Sequence, residues 1–503
     1  MSTPVALLPD WLAHRAETTP TRTALIADGA TWTFAELDAA VAHLARRLAA
    51  AGVRAGDRVA SILRNGAGAA MLPLATLRLG ATLVPLNVRL AEHELAWQLG
   101  DCGARIAVAD SRTLPLAERA CVARGDVALF VIDDDTRADA SAALRLAHDP
   151  EHVLAIIYTS GTTGEPKGAM LTVANFWWSA IGSALNLGTL ADDRWLAALP
   201  LFHVGGLSIV TRAAIYGITA VVHDGFDAEA VNRAIEQDRV TIVSVVSVTL
   251  QRMLDAWGDR PYPAWLRCVL LGGGPAPRPL LERCAALGVP VVQTYGLTET
   301  TSQLATLAPD DALRKLGSAG KPIYPNSLRI VDSSDAELAP GEAGEIVVQG
   351  PVVTAGYAGR AEATARALRG GWLHTGDIGM LDDEGYLYVL DRRDDLVITG
   401  GENVYPAEVE AALLAHENVA EAAVIGVPDV TWGQRVVAIV RSREGASIDA
   451  ALLIEHCRAR LARYKAPSEI HVVTDPLPRT ASGKLRRAVL RDSFSTDDDV
   501  TAR

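Results

Sequence analysis

Repeated strand–helix–strand order, with connections too short for much besides a crossover, constrains this chain most. Thr33 and Glu36 have capping-box spacing, and Leu37, Val41, Leu44 and Leu48 follow at steps of four, three and four, an apolar stripe along one helix. Gly52 closes that helix; residues 58–63 then read as a strand, 66–79 as a second helix and 82–86 as the next strand. Strands joined through helices in this way run parallel. The same alternation returns from Val153 to Val292, where the β-branched run 240–248 reads as a buried strand. Residues 327–350 switch to short strands and turns, a small β-rich piece. After Asp391 a new pattern begins: Pro406 opens a helix carrying Val409 and Leu413, AAVIGV (422–427) follows, then a helix over 449–463 and the strand EIHVV (469–473). The expectation is an α/β protein. Residues 1–390 form a large N-terminal domain of parallel-type αβ layers plus the small β-rich subdomain. Residues 391–395 connect it to a small α+β C-terminal domain, 396–495, and 496–503 form a tail.

Composition removes several function classes. With 49% hydrophobic and 21% charged residues the 503-residue chain is an ordinary soluble globular sequence. A formal charge of −13 argues against nucleic acid or an anionic membrane as partner, because both need a basic face. The N-terminus lacks the positive and apolar regions of a signal peptide, and Arg78, Gly80, Pro85 and Arg89 interrupt the apolar stretch from Met71 to Leu90, so no membrane span is expected. Five scattered cysteines without a C-x-x-C pair read as reduced thiols of a cytoplasmic protein with no zinc site. Only five of the 47 lysines and arginines are lysines, so each lysine is a candidate for a task that needs a compact point charge.

The densest chemistry lies in YTSGTTGEPKG (158–168), directly after the apolar strand VLAII. Three glycines let the backbone curl with its N–H groups inward, four hydroxyls add donors, and Lys167 adds a charge, a set that suits a polyphosphate. The Walker A pattern is absent, since Lys167 is flanked by Pro166 and Gly168.

This loop resembles the signature of the adenylate-forming enzymes, the superfamily of acyl-CoA synthetases, peptide-synthetase adenylation domains and luciferase. Seven further segments match in the family's order: PLFHVGGLS (200–208), LLGGGPAP (270–277), QTYGLTETTSQ (293–303), GWLHTGDIG (371–379), DRRDD (391–395), GGENVYP (400–406) and PRTASGK (478–484). Residues 183–208, 270–281, 315–322 and 388–410 look most like 2-succinylbenzoate–CoA ligases of menaquinone biosynthesis.

The resemblance implies an acid–thiol ligase using ATP, Mg²⁺ and coenzyme A. It would activate 2-succinylbenzoate as an acyl-adenylate, release pyrophosphate, then form the thioester and release AMP. Thr159, Ser160, Gly161, Thr162, Thr163, Gly164 and Lys167 would hold the phosphates. Glu299 would hold Mg²⁺, with Thr159 as a second metal-side oxygen and Thr298 near the α-phosphate. Gly272, Gly273, Gly274 and Tyr295 resemble the adenine site, and Asp377 with Arg392 the ribose site. His203 would border the acyl carboxylate and the thiol route; Lys484 would bridge carboxylate and α-phosphate. Gly400 and Gly401 would line a pantetheine tunnel after the mobile C-terminal domain, 396–495, rotates about Asp394 in the hinge 391–395. Ser208, Thr249 and Ser302 are candidate hydrogen-bond donors of the acyl pocket, for which no cation pairing a second substrate carboxylate stands out. The alternatives are a medium- or long-chain fatty acyl-CoA or aryl-CoA ligase of the same fold, and a nucleotide-binding regulatory protein with a degenerate site. An adenylation module is disfavoured because no carrier domain follows residue 484. The partners are small molecules; the chain's size is compatible with a homodimer.

Overall fold

In the computed structural model the described residues are 6–134, 139, 141–159, 166–273, 278–391, 397–404, 406–443, 445–478 and 487–495. They group into two compact units. The first comprises Met1–Val88, Leu95–Tyr158 and Gly168–Leu390, the second Arg89–Glu94, Thr159–Lys167 and Asp391–Arg503.

The first helix of the alternating pattern forms because its N-terminus is satisfied locally. Thr33 N donates to the Glu36 carboxylate at 2.8 Å while Glu36 N donates to the Thr33 hydroxyl at 3.3 Å, closing the capping box on Phe34–Ala50. Leu37, Val41, Leu44 and Leu48 are all buried along it. The next helix, Ala67–Leu79, starts one residue later than its glycine suggested, with Gly66 as N-cap, and ends at Gly80 in the left-handed region (φ 69°).

Two large sheets dominate the first unit, beside a two-stranded pairing of Leu8–Pro9 with Ala147–His148. One runs Lys167–Thr172, Val153–Thr159, Thr82–Pro85, Arg58–Ile62, Ile106–Ala109, Ala128–Val131, and the pairings from Val153–Thr159 through Ala128–Val131 are parallel. In the other, Thr23–Ala27, Thr219–Val222, Arg194–Ala197, Ile242–Val245, Cys268–Leu271 and Val291–Tyr295 are parallel neighbours. The β-rich piece continues that second sheet in antiparallel fashion through Ala305–Leu307 and Ser318–Pro322 out to Ser327–Val331 and Gly344–Gln349. The expected strand at 240–248 is shorter, Ile242–Val245, because Thr249 caps a helix that already begins at Ser247.

Beneath the helices, Arg78 is held almost wholly buried by Asp10 and Asp38, and His148 Nε2 lies 3.0 Å from Asp10 Oδ2. Burial alone would raise the Asp10 carboxyl; hydrogen bonds from His148 and Arg78, with the Arg78 charge, outweigh it and hold the group well below the ordinary carboxylate range. All five cysteines are buried and unpaired, and burial pushes the Cys268 and Cys284 thiols up to about 12.

The second unit is α+β. Val419–Asp429 and Gly433–Ser442 form an antiparallel hairpin, Glu469–Val473 joins the latter strand in parallel, and Pro406–Leu414 and Ala450–Arg458 cover a core that includes Val424, Val436 and Leu453. Among the described residues no helix is long and apolar enough to cross a membrane.

Candidate active site

Parallel strands deliver their following loops to one edge of a sheet, where α/β proteins bind ligands. Here Ile242–Val245, Cys268–Leu271 and Val291–Tyr295 are in register as Val245↔Leu271 and Leu271↔Gln293, so the segments from Val246, Gly272 and Gly296 leave side by side. Gly272 N donates to Val245 O at 3.1 Å. At Gly273 (φ 84°) an added Cβ would sit 3.0 Å from Val246, so this turn suits glycine on conformation and space together.

The segment after Tyr295 is tighter. Thr298–Thr300 is a 3₁₀ turn, followed by Thr301 and Ser302 at φ 51° and 86°, a strained pair for residues other than glycine. Gly296 lets the turn close, since a Cβ there would lie 1.6 Å from Ser302 O. The turn carries Thr298 and Glu299. Glu299 Oε1 accepts from the Tyr357 hydroxyl at 2.9 Å, and Glu299 O accepts from Thr354 N at 2.8 Å. Tyr295 is buried, and its hydroxyl donates to Asp377 Oδ2 at 2.7 Å, joining the expected adenine and ribose residues directly. Asp377 lies in Trp372–Leu381, its own N–H donating to the Thr375 hydroxyl at 3.1 Å.

His203 is the N-cap of the helix Val204–Tyr216, with its ring 4.7 Å edge-on from Phe202. Ser208 and Thr249 turn toward their own helices: Ser208 Oγ donates to Gly205 O at 3.3 Å and Thr249 Oγ1 to Val246 O at 2.9 Å. Those bonds occupy the hydroxyl protons expected to serve an acyl pocket. In the second unit, Thr159 Oγ1 donates to Lys167 O at 3.4 Å, so the two ends of the phosphate loop meet. There too, Gly400 and Gly401 (φ 57° and 82°) form the turn between Val397–Thr399 and Glu402–Val404, and Gly400 N donates to Trp432 O at 2.8 Å. Ser160, Gly161, Thr162, Thr163, Gly164, Gly274, Arg392, Asp394 and Lys484 lie outside the described residues.

Sequence reading missed two groups. Tyr357 sits 58 positions from the glutamate it touches. Arg212, on the His203 helix, is 2% exposed; its Nη2 donates to Ser179 Oγ at 3.0 Å, its Nε has no partner, and among the described residues no carboxylate pairs with it. Ser179 Oγ in turn donates to Thr301 O at 2.6 Å, tying the arginine to the strained turn. An arginine at a buried helix position reads from sequence like any surface cation; the missing signal was a third dimension.

Glu299 offers the hard carboxylate oxygen that Mg²⁺ prefers. Among the described residues no group of three or more His, Cys, Asp or Glu could hold a metal ion.

The chain matches the family model for AMP-binding enzyme over residues 12–358 and that for the AMP-binding enzyme C-terminal domain over 408–484. It is 53% identical to a 2-succinylbenzoate–CoA ligase of Geobacillus kaustophilus over 485 residues, covering 96% of this chain and 97% of that one. Among solved structures, a double mutant of o-succinylbenzoate CoA synthetase from Bacillus subtilis bound to the product analogue OSB-NCoA superposes with a TM-score of 0.92 at 44% identity, covering 97% of this chain and 99% of that one. The Bacillus subtilis enzyme in complex with ATP and magnesium ion gives 0.75 at 44% identity, over 96% and 99%. This chain belongs to the family of AMP-binding enzymes.

Proposed function

We propose that this protein is an ATP-dependent, AMP-forming CoA ligase acting on 2-succinylbenzoate in the cytoplasm. The observation that carries the choice of acid is Arg212. A buried guanidinium without a carboxylate is costly, and burial lowers its hold on its proton. An acid with a second carboxylate, such as one on an aromatic ring, would relieve that cost, whereas a fatty acid brings no second anion. Arg212 thus supplies the cation that the sequence did not reveal.

Around it the residues divide the work. The Tyr295–Asp377 pair orients the nucleoside, with Gly272 and Gly273 providing flat backbone for a purine. Glu299, steadied by Tyr357, would hold Mg²⁺, which when bound offsets the charge on the phosphates. Thr159, Lys167 and the loop between them grip the phosphates. Lys484 bridges carboxylate and α-phosphate during adenylation. Rotation of residues 396–495 about 391–395 then exchanges Lys484 for the Gly400–Gly401 turn and admits the thiol. Identity to curated 2-succinylbenzoate–CoA ligases across nearly the whole chain supports this reading.

The test compares kcat/KM for 2-succinylbenzoate, octanoate, benzoate and the analogue lacking the ring carboxylate. Wild type should prefer 2-succinylbenzoate by at least about tenfold, and Arg212→Met should erase the preference over that analogue. Preference for octanoate would refute the assignment.

A further inference from the structure

The loop that delivers His203 is gripped from outside its own sheet. Asn65 follows the strand Arg58–Ile62 of the six-stranded sheet, yet its side chain reaches the segment between the strand Arg194–Ala197 and the helix Val204–Tyr216 of the other sheet. Asn65 Nδ2 donates to Leu199 O at 2.9 Å, and Oδ1 accepts from Leu201 N at 2.8 Å. The amide is 5% exposed, so water competes little for these bonds. Its orientation is fixed by the partners: a carbonyl only accepts and an amide N–H only donates, so one of the two flips satisfies both.

From that clasp the chain goes straight to the histidine. His203 N donates to Pro200 O at 3.2 Å, and His203 O accepts from Gly206 N at 3.1 Å and Leu207 N at 2.9 Å. Gly206 closes the turn from the other side, since a Cβ there would lie 2.2 Å from Pro200 O. His203 itself makes no side-chain bond to its own helix N-terminus. The carbonyl of Pro200 is therefore set between Asn65's two contacts and Gly206, and the backbone of His203 hangs from it.

We infer that Asn65 is a positioning residue for the ligase reaction, holding His203 at the acyl and thiol side of the site; this rests on the proposed ligase function and on the place beside the acyl carboxylate and thiol route that the family resemblance gives His203. Neither aspartate nor leucine can replace it. An aspartate accepts from Leu201 but turns an oxygen toward Leu199 O, and a leucine offers neither bond.

The experiment is a double-mutant cycle on kcat/KM for overall thioester formation, with thermal melting as control. Asn65→Asp should cost about tenfold, the size expected for a broken buried hydrogen bond. In a His203→Ala background the same change should cost no more than about twofold, because the residue it positions is gone. Gly206→Ala pushes on the same carbonyl and should show the same coupling, which keeps the inference testable if Asn65→Asp does not fold. Full costs in both backgrounds would overturn the positioning role. A His203→Ala enzyme as active as wild type would refute the His203 assignment itself and remove the inference with it.

Discussion

The Tyr357 hydroxyl donates to Glu299 Oε1 at 2.9 Å, while Thr354 N holds the backbone carbonyl of the same glutamate. Carboxylate and backbone are thus gripped by one short segment, which fixes where the carboxylate points. A hydrogen bond to a charged group contributes about 1.5–3 kcal/mol. Tyr357→Phe should therefore raise the Mg²⁺ concentration for half-maximal pyrophosphate release by about tenfold or more. Its melting temperature should stay close to wild type. An unchanged Mg²⁺ titration would separate Tyr357 from metal binding.

Lys484→Ala should nearly abolish acyl-adenylate formation, read as pyrophosphate release, and spare CoA transfer to preformed adenylate. Equal loss in the two half-reactions would argue against the bridging role.

Gly401→Val should do the opposite. At φ 82° a β-branched residue is strained, and the bulk would narrow a passage for pantetheine. Adenylation should persist while thioester release falls; a normal overall rate would count against the tunnel.

The Asp10–Arg78–His148 cluster predicts an acid-sensitive core. The Asp10 carboxyl is depressed in the folded state relative to an unfolded value of about 3.9, so its contribution is full above that pH and lost as pH falls through the folded value. Asp10→Asn should cost about 3 kcal/mol in urea unfolding at pH 7, because Arg78 loses its buried anion and keeps only the part-exposed Asp38. The variant's stability should also fall less steeply than wild type below pH 4 or so. Parallel acid profiles would show that other carboxylates dominate.

Local signals were legible in the sequence. The Thr33 capping box, the helix opened by Pro406 and the glycines at 272 and 273 each depend on neighbours within a few positions, and a linear string records those. The run at 240–248 was read too long, because uninterrupted apolar residues carry no period to separate the end of a strand from the start of a helix. What could not be read were pairings set by tertiary approach: Tyr295 with Asp377, Tyr357 with Glu299, Asn65 with Leu199 and Leu201. Their partners lie 58 to 136 positions apart. Each residue alone looks like an ordinary core or turn residue.

The rare lysines have one more consequence. Lys315 is buried against Asp382 at 2.7 Å and Glu384 at 2.5 Å, and Lys465 against Glu408 at 2.7 Å. Ammonium groups locked this way are poor targets for acylating reagents, which need the free amine. Two of the five lysine side chains in 503 residues are therefore poorly reactive. Amine labelling of the native enzyme followed by intact-mass measurement therefore starts from a small set of amines, the α-amine included. Protection by ATP would register there as the loss of one or two whole mass increments, a direct count of the lysines that face the nucleotide.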